Sequence, residues 1–426
     1  MDVRVVHPAD LICQIMERIY DMDMTSLTGG NISMMDEEGV MWVTPTSIDK
    51  KSLTRDDIVR VLPDGTIEGR HKPTSEYYIH RSILTKHPDI KAVIHAHAPA
   101  TVTMSVLNRV PDTKLYLPAY EVVGEPMMTP YALPGSMRLV DRVMEAFDAG
   151  YDGAILEKHS AFIGSRVDLL DAFHRFEALD FASRIEINSY DVGIPRPLAK
   201  EQLENAKLPD TAEMPEYVLE KHSAEELNQR RWLCSVVKRG YGKKLFTSAN
   251  GVMSVRTGED SFLIPERGVD NGLIRLEDVM QVKEGKREAG RIPNAMATLH
   301  EKIYKLHPEI QSIITAAPVY TMGFLVTDTI YDTTLYPESY GVLCEAKRYK
   351  FEDLFENMDT IAENIDLQHP MAMIENYGVV LAGISPILAF DKLEVCESSA
   401  QSIHEMKRMG LEPILMTPEQ IAEMNG

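Results

Sequence analysis

The stretch AVIHAHAP, Ala92 to Pro99, decides how this chain is read, because SIITAAP, Ser312 to Pro318, repeats its setting without histidine. On a strand successive side chains point to opposite faces, so His95 and His97 project the same way, about 7 Å apart along the strand. Two imidazoles on one face can share a metal ion. An isolated H-x-H is common, however, and the plain alternative is two rings that happen to lie on a strand. Catalytic zinc sites use three protein ligands and keep one position open. The pair alone is therefore incomplete.

The two stretches belong to a longer internal match. LTKHPDIKAVIHAHAPATVTM from Leu84 parallels YKLHPEIQSIITAAPVYTM from Tyr304, with His87-Pro88 and His307-Pro308 superposed on a shift of 220 (307 − 87). SEYYIHRSILTKHP parallels AMATLHEKIYKLHP in front of it. Upstream, LTGGNISMMDEEGVMWVTP from Leu27 parallels FTSANGVMSVRTGEDSFLIP from Phe246. Downstream, AILEKHSAFIGSRVDLLDAF from Ala154 parallels AMIENYGVVLAGISPILAF from Ala372. Four matching segments in one order mean a duplicated domain of about 200 residues, far beyond the period of a stacked-repeat solenoid.

The division is expected as a first domain over 1–193, a linker over 194–226 rich in prolines and charges, and a second domain over 227–426. Helical spacing places Leu11, Ile12, Ile15, Met16 and Ile19 on one face of Pro8 to Tyr20. Met41 to Thr44 and Ala92 to His97 read as strands, and Ser75 to Lys86 as a helix. Ala154 to Ile163 reads as two short strands with a turn, followed by a helix over Leu169 to Ile185. The mixture predicts an α/β class, a sheet with helices on its faces.

Composition narrows the function. The 426 residues are 44% hydrophobic and 26% charged, as in an ordinary globular chain, and too long for one core. No apolar run approaches the roughly 20 residues that span a bilayer. MDVRVVHPADLICQIMERIY lacks the basic-then-apolar signal pattern, which predicts a cytoplasmic protein with no membrane partner. Cys13, Cys234, Cys344 and Cys396 are scattered and read as reduced thiols. A net charge of −21 argues against a nucleic-acid partner, which needs a basic face. A small anion remains compatible, since amides and hydroxyls can hold a phosphate locally.

A third ligand is sought among His71, His80, His87, His159 and His174. His87 and His80 recur as His307 and His300 in the half without the pair, which favours turn and packing roles. His159 instead becomes Tyr377 (a shift of 218, 377 − 159), so it disappears together with His95 and His97. Loss as a set, with the framework retained, is the pattern of a decayed metal site. Glu76 behaves likewise. In KPTSEYY it opens a helix, where a carboxylate is often only favourable dipole placement. Its counterpart in IPNAMAT is Met296, and Thr74 and Ser75 become Asn294 and Ala295.

With TGGNIS from Thr28, TPTS from Thr44, PTSE from Pro73, H-x-H and LEKHSAFIG in place, the first half resembles the class II aldolase/adducin superfamily, typified by the L-fuculose-1-phosphate aldolases, over roughly Ala9 to Ile187. The resemblance implies tandem three-layer α/β/α sandwiches, each around a largely antiparallel sheet. It implies His95, His97 and His159 as ligands of Zn2+ or another divalent ion, and Glu76 as general base. Thr28, Asn31, Thr46, Ser47, Thr74 and Ser75 become the substrate and phosphate contacts. Ser47 departs from the glycine that usually follows T-P-[ST] in the aldolases. The proton-donating tyrosine maps onto Tyr116 in KLYLPAYEVVG, with Tyr120 as its neighbour.

The reaction implied by the resemblance is zinc-dependent aldol cleavage of a sugar phosphate through a metal-bound enediolate. A related epimerase or decarboxylase, or a non-catalytic adducin-like interaction protein, are the alternatives. Thr315, Ala317, Tyr377 and Met296 imply a second domain without metal. Relatives of this type imply a homo-oligomer with pseudo-fourfold packing, in which the second domain supplies a neighbouring wall.

Overall fold

The computed structural model describes residues 5–219 and 221–424, so the first four residues of MDVRVVHPADLICQIMERIY lie outside it. One unit runs to Thr113 and resumes over Ala119–Arg184, and the other comprises Lys114–Pro118 and the chain from Ile185 onward.

The first unit opens on the helix Pro8–Asp21. Pro8 sits in its first turn, where a missing N–H costs nothing, and the His7 ring accepts from the Ala9 N–H at 3.2 Å. Its buried face is Ala9, Leu11, Ile12, Ile15, Met16 and Ile19, the stripe that the spacing predicts. That stripe covers an eight-stranded sheet of β1 (Asn31–Met35), β2 (Met41–Val43), β3 (Val59–Val61), β4 (Ile67–Glu68), β5 (Ala92–Ala96), β6 (Met127–Thr129), β7 (Gly153–Leu156) and β8 (Ser160–Ser165). The order is β4-β3-β2-β1-β5-β8-β7-β6, antiparallel except for β6 beside β7.

Strand β5 is buried along its whole length because helices cover both faces. Ala92, Ile94 and Ala96 join the core under Pro8–Asp21 and the long helix that begins at Leu169. Val93 joins the opposite core, under the helices Tyr77–Lys86 and Met137–Asp148. His95 shares the face of Val93. The three layers are those of an α/β/α sandwich. Two boundaries differ from expectation: β5 ends at Ala96, leaving His97 just past the strand, and the helix after Glu76 starts at Tyr77.

The second unit repeats the plan. It contains β9 (Glu216–Tyr217), β10 (Val252–Gly258), β11 (Ser261–Pro265), β12 (Val279–Lys283), β13 (Lys286–Glu288), β14 (Ser312–Ala316), β15 (Lys347–Tyr349), β16 (Met371–Ile374) and β17 (Gly378–Gly383). Their order is β15-β16-β17-β14-β10-β11-β12-β13-β9. Val252 opposes Thr315 in the register in which Asn31 opposes His95, so the two central strand pairs are equivalent residue by residue.

Two segments fall differently from the division read in the sequence. Residues 194–226 carry the helix Lys200–Asn205 and β9, which pairs in parallel with β13. The Arg287 guanidinium donates to the Ala212 and Met214 carbonyls. Backbone pairing at a sheet edge needs no apolar periodicity, which is why this stretch reads as a linker. Lys114–Pro118 is built into the second unit, where Leu117 N–H donates to the Asn376 carbonyl at 3.1 Å and the Asn376 amide donates to the Leu115 carbonyl at 3.0 Å.

Candidate metal centre

His95 sits on β5, His97 just beyond its end, and His159 in the turn between β7 and β8, which is antiparallel to β5. One short piece of sheet thus presents all three rings. One nitrogen from each lies within 4.8 Å of the others. His95 Nε2 and His97 Nε2 are 3.1 Å apart, with the rings edge to face. His95 is fully buried and stacks on Phe162 at 4.2 Å. Its Nδ1–H donates to the Ala161 carbonyl at 2.8 Å, which fixes the tautomer and leaves the Nε2 lone pair facing the other rings.

Burial pushes the His95 imidazole down to about 3, reinforced by His97. Burial, then His95, brings His159 down to about 4, and burial lowers His97. All three are neutral near pH 7, the state in which imidazole binds metal. Glu76 closes the group. Its Oε2 lies 3.4 Å from His95 Nε2 and its Oε1 3.7 Å from His159 Nε2. Although Glu76 holds the cap position of the helix Tyr77–Lys86, its side chain makes no capping bond. The carboxylate is turned to the histidines and to Asn31 rather than to the free amides of the helix. Glu76 Oε1 and His159 Nδ1 are buried without a hydrogen-bond partner. Converging lone pairs and a carboxylate oxygen with nothing to neutralise it fit a divalent cation.

Beside the histidines, three turns are tied together. Thr46 N–H donates to the Lys72 carbonyl and Thr74 N–H to the Thr44 carbonyl, each at 3.1 Å, and Lys50 N–H reaches the Leu27 carbonyl at 2.8 Å. Thr28, Ser47 and Ser75 are exposed on these turns, Thr46 is half-buried and Thr74 buried. Ser47 adopts φ +55°, the left-handed conformation that glycine favours, so the turn keeps its shape without glycine. Lys50, itself 1% exposed, donates from Nζ to the Pro45 and Ile48 carbonyls from beneath. A Cβ on Gly29 would stand 3.4 Å from His97 Nδ1 and 2.8 Å from Ser26 Oγ, so a side chain there would crowd the first turn against the metal centre.

Asn31, expected as a phosphate contact, donates from Nδ2 to Glu76 Oε2 at 3.0 Å. Tyr116 is buried in the second unit, and only Tyr120 belongs to the unit that carries the histidines. His80, read as packing, bonds both Asn31 and Ser33. His80, Ser33, Lys50 and Gly29 are the neighbours that sequence reasoning missed. Only the paired glycines of TGGN signalled a close approach.

Residues 10–187, and again 231–404, match the family described as Class II Aldolase and Adducin N-terminal domain. The chain belongs to this family. Among class II aldolase relatives, a 5-deoxy-D-ribulose 1-phosphate aldolase of Bacillus thuringiensis is 28% identical over 193 residues, covering 44% of this chain and 88% of that one. An L-fuculose phosphate aldolase of Methanocaldococcus jannaschii is 28% identical over 179 residues, covering 41% and 92%. A solved L-fuculose 1-phosphate aldolase aligns with TM-score 0.43 and 28% identity, over 46% of this chain and 92% of that chain. No helix among the described residues is long and apolar enough to cross a membrane.

Proposed function

We propose that the first unit is a zinc-dependent aldolase that cleaves a sugar phosphate. The observation that carries this reading is the convergence of three imidazoles beside the Glu76 carboxylate, whose Oε1 is buried without a hydrogen-bond partner. His95, His97 and His159 would hold the ion, which when bound supplies a Lewis acid for the carbonyl next to the scissile bond.

The chain's own groups supply the rest. Glu76 Oε1, which has no hydrogen-bond partner, takes the proton of the hydroxyl beside the bond that breaks. Phe162 behind His95 and the closed strand β5 keep water from the back of the site. Thr46, Ser47, Thr74 and Ser75, on turns locked to one another through the Thr46 and Thr74 amides, offer hydroxyls to the phosphate without a lysine cluster. Tyr116, with Tyr120 as its neighbour, is the acid we assign to the carbon left by cleavage. The proposal includes a homo-oligomer and a second unit that binds no metal.

The test is a retro-aldol assay of the zinc-loaded protein over a panel of ketose 1-phosphates, with aldehyde release as readout. Cleavage of at least one that is abolished in Glu76→Gln supports the reading. A protein that binds zinc and cleaves none of them is not an aldolase of this class.

A further inference from the structure

Glu76 is held by a chain of side chains that starts in the core. Ser33 Oγ lies 2.7 Å from His80 Nδ1, His80 Nε2 lies 2.5 Å from Asn31 Oδ1, and Asn31 Nδ2 lies 3.0 Å from Glu76 Oε2. Ser33 and His80 are fully buried and Asn31 is 5% exposed. We propose that Asn31 is the positioning residue that aims the Glu76 carboxylate, and that the His80–Ser33 pair sets which way round the Asn31 amide faces.

Donors and acceptors fix the direction of the chain. A carboxylate only accepts, so Asn31 must present its NH2 end to Glu76, and its carbonyl then faces His80. A neutral imidazole carries one N–H, so His80 must donate from Nε2 and accept at Nδ1, and only the Ser33 hydroxyl is there to donate. Every hydrogen in the chain therefore points towards Glu76. Turned over, the amide would set its oxygen against the carboxylate and its NH2 against the ring N–H. The consequence is an asymmetric carboxylate: Oε2 is held, while Oε1 is left for the reacting proton.

The second unit separates the structural part of this chain from the rest. There Ser254 Oγ and His300 Nδ1 remain 2.8 Å apart. Val252 stands at the register of Asn31 and Met296 at the place of Glu76, and His300 Nε2 meets Thr315 Oγ1 at 2.9 Å instead. The serine–histidine clasp thus occurs without the carboxylate, whereas the asparagine occurs only with it.

This inference rests on the reading of Glu76 as the base, and two measurements keep the two apart. In the zinc-loaded protein with 15N-labelled histidine, NMR should find His80, identified by its loss in His80→Gln, with its proton on Nε2. A proton on Nδ1 overturns the proposal, whatever the activity. In Asn31→Val, the residue that the second sheet tolerates at this register, kcat should fall roughly a hundredfold, with KM and zinc content unchanged. A raised KM with unchanged kcat would make Asn31 a substrate contact, and lost zinc would make it part of the metal site; both overturn the proposal. If the wild-type protein cleaves nothing in the panel, the aldolase reading fails, and the tautomer still decides the chain.

Discussion

The Tyr377 hydroxyl donates to Met296 Sδ at 3.1 Å, a contact between the two residues that replace His159 and Glu76 in the second unit. With Thr315 and Ala317 at the places of His95 and His97, two hydroxyls, a methyl group and a thioether occupy the positions of the candidate quartet. A soft, weak acceptor against a phenol offers a divalent cation nothing comparable to three imidazoles. Elemental analysis of zinc-reconstituted protein should therefore find one ion per chain. His95→Ala and His159→Ala should each abolish it, because a pair of ligands does not make a tight site. Two ions per chain in the wild type would refute the assignment of the second unit.

Glu76→Gln keeps the shape of the side chain and removes its charge. Turnover should fall by about 10²- to 10⁴-fold, the usual contribution of a positioned general base. Zinc content should stay at one ion per chain, since the three histidines are untouched. A variant that loses metal and activity together would show Glu76 to be a ligand first.

Ser47 occupies the left-handed region at φ +55°. An L-residue there costs about 1–2 kcal/mol, against which glycine loses up to about 1 kcal/mol of extra chain entropy. Ser47→Gly should therefore leave the urea midpoint unchanged or slightly raised, with KM for the phosphorylated substrate preserved. Ser47→Val, branched at Cβ, should lower the midpoint and raise KM. Equal behaviour of the two variants would mean that the turn does not hold this conformation in solution.

Lys50 is the buried amine under the same turn, and burial brings it down to about 8 from the ordinary 10.5. Between those values the unfolded chain holds a proton that the folded chain has released, so acidification favours the unfolded state. The wild type should gain stability relative to Lys50→Met as pH rises from 8 to 10.5, by at most on the order of 3 kcal/mol. Urea titrations of both proteins at the two ends of this window measure it. A constant difference would place the Lys50 amine in water.

Much of this was legible in the chain. The duplication, the helix Pro8–Asp21 and the central strand follow from repeated segments and apolar spacing, which survive in linear order. The histidine triad was legible because the second copy had lost it as a set. The same comparison hid His80, whose recurrence as His300 made it look like packing in both halves. The bond from Asn31 to Glu76 stayed hidden because it joins residues 45 positions apart, which no local pattern announces. His97 was placed on a strand that stops one residue earlier, since a turn towards Pro99 leaves no mark in an alternating apolar run.

The pentapeptide Lys114–Pro118 precedes the midpoint of the chain yet belongs to the second unit, where Leu117 lies in one apolar cluster with Leu198 and Phe351. No single cut in the gene therefore releases that unit whole. A fragment begun at residue 194 would leave the Asn376 amide without the Leu115 carbonyl and a hydrophobic seat empty. Excision would need a transplanted loop as well as a truncation, so recombination that shuffles the halves as cassettes is penalised by the weave of the chain itself.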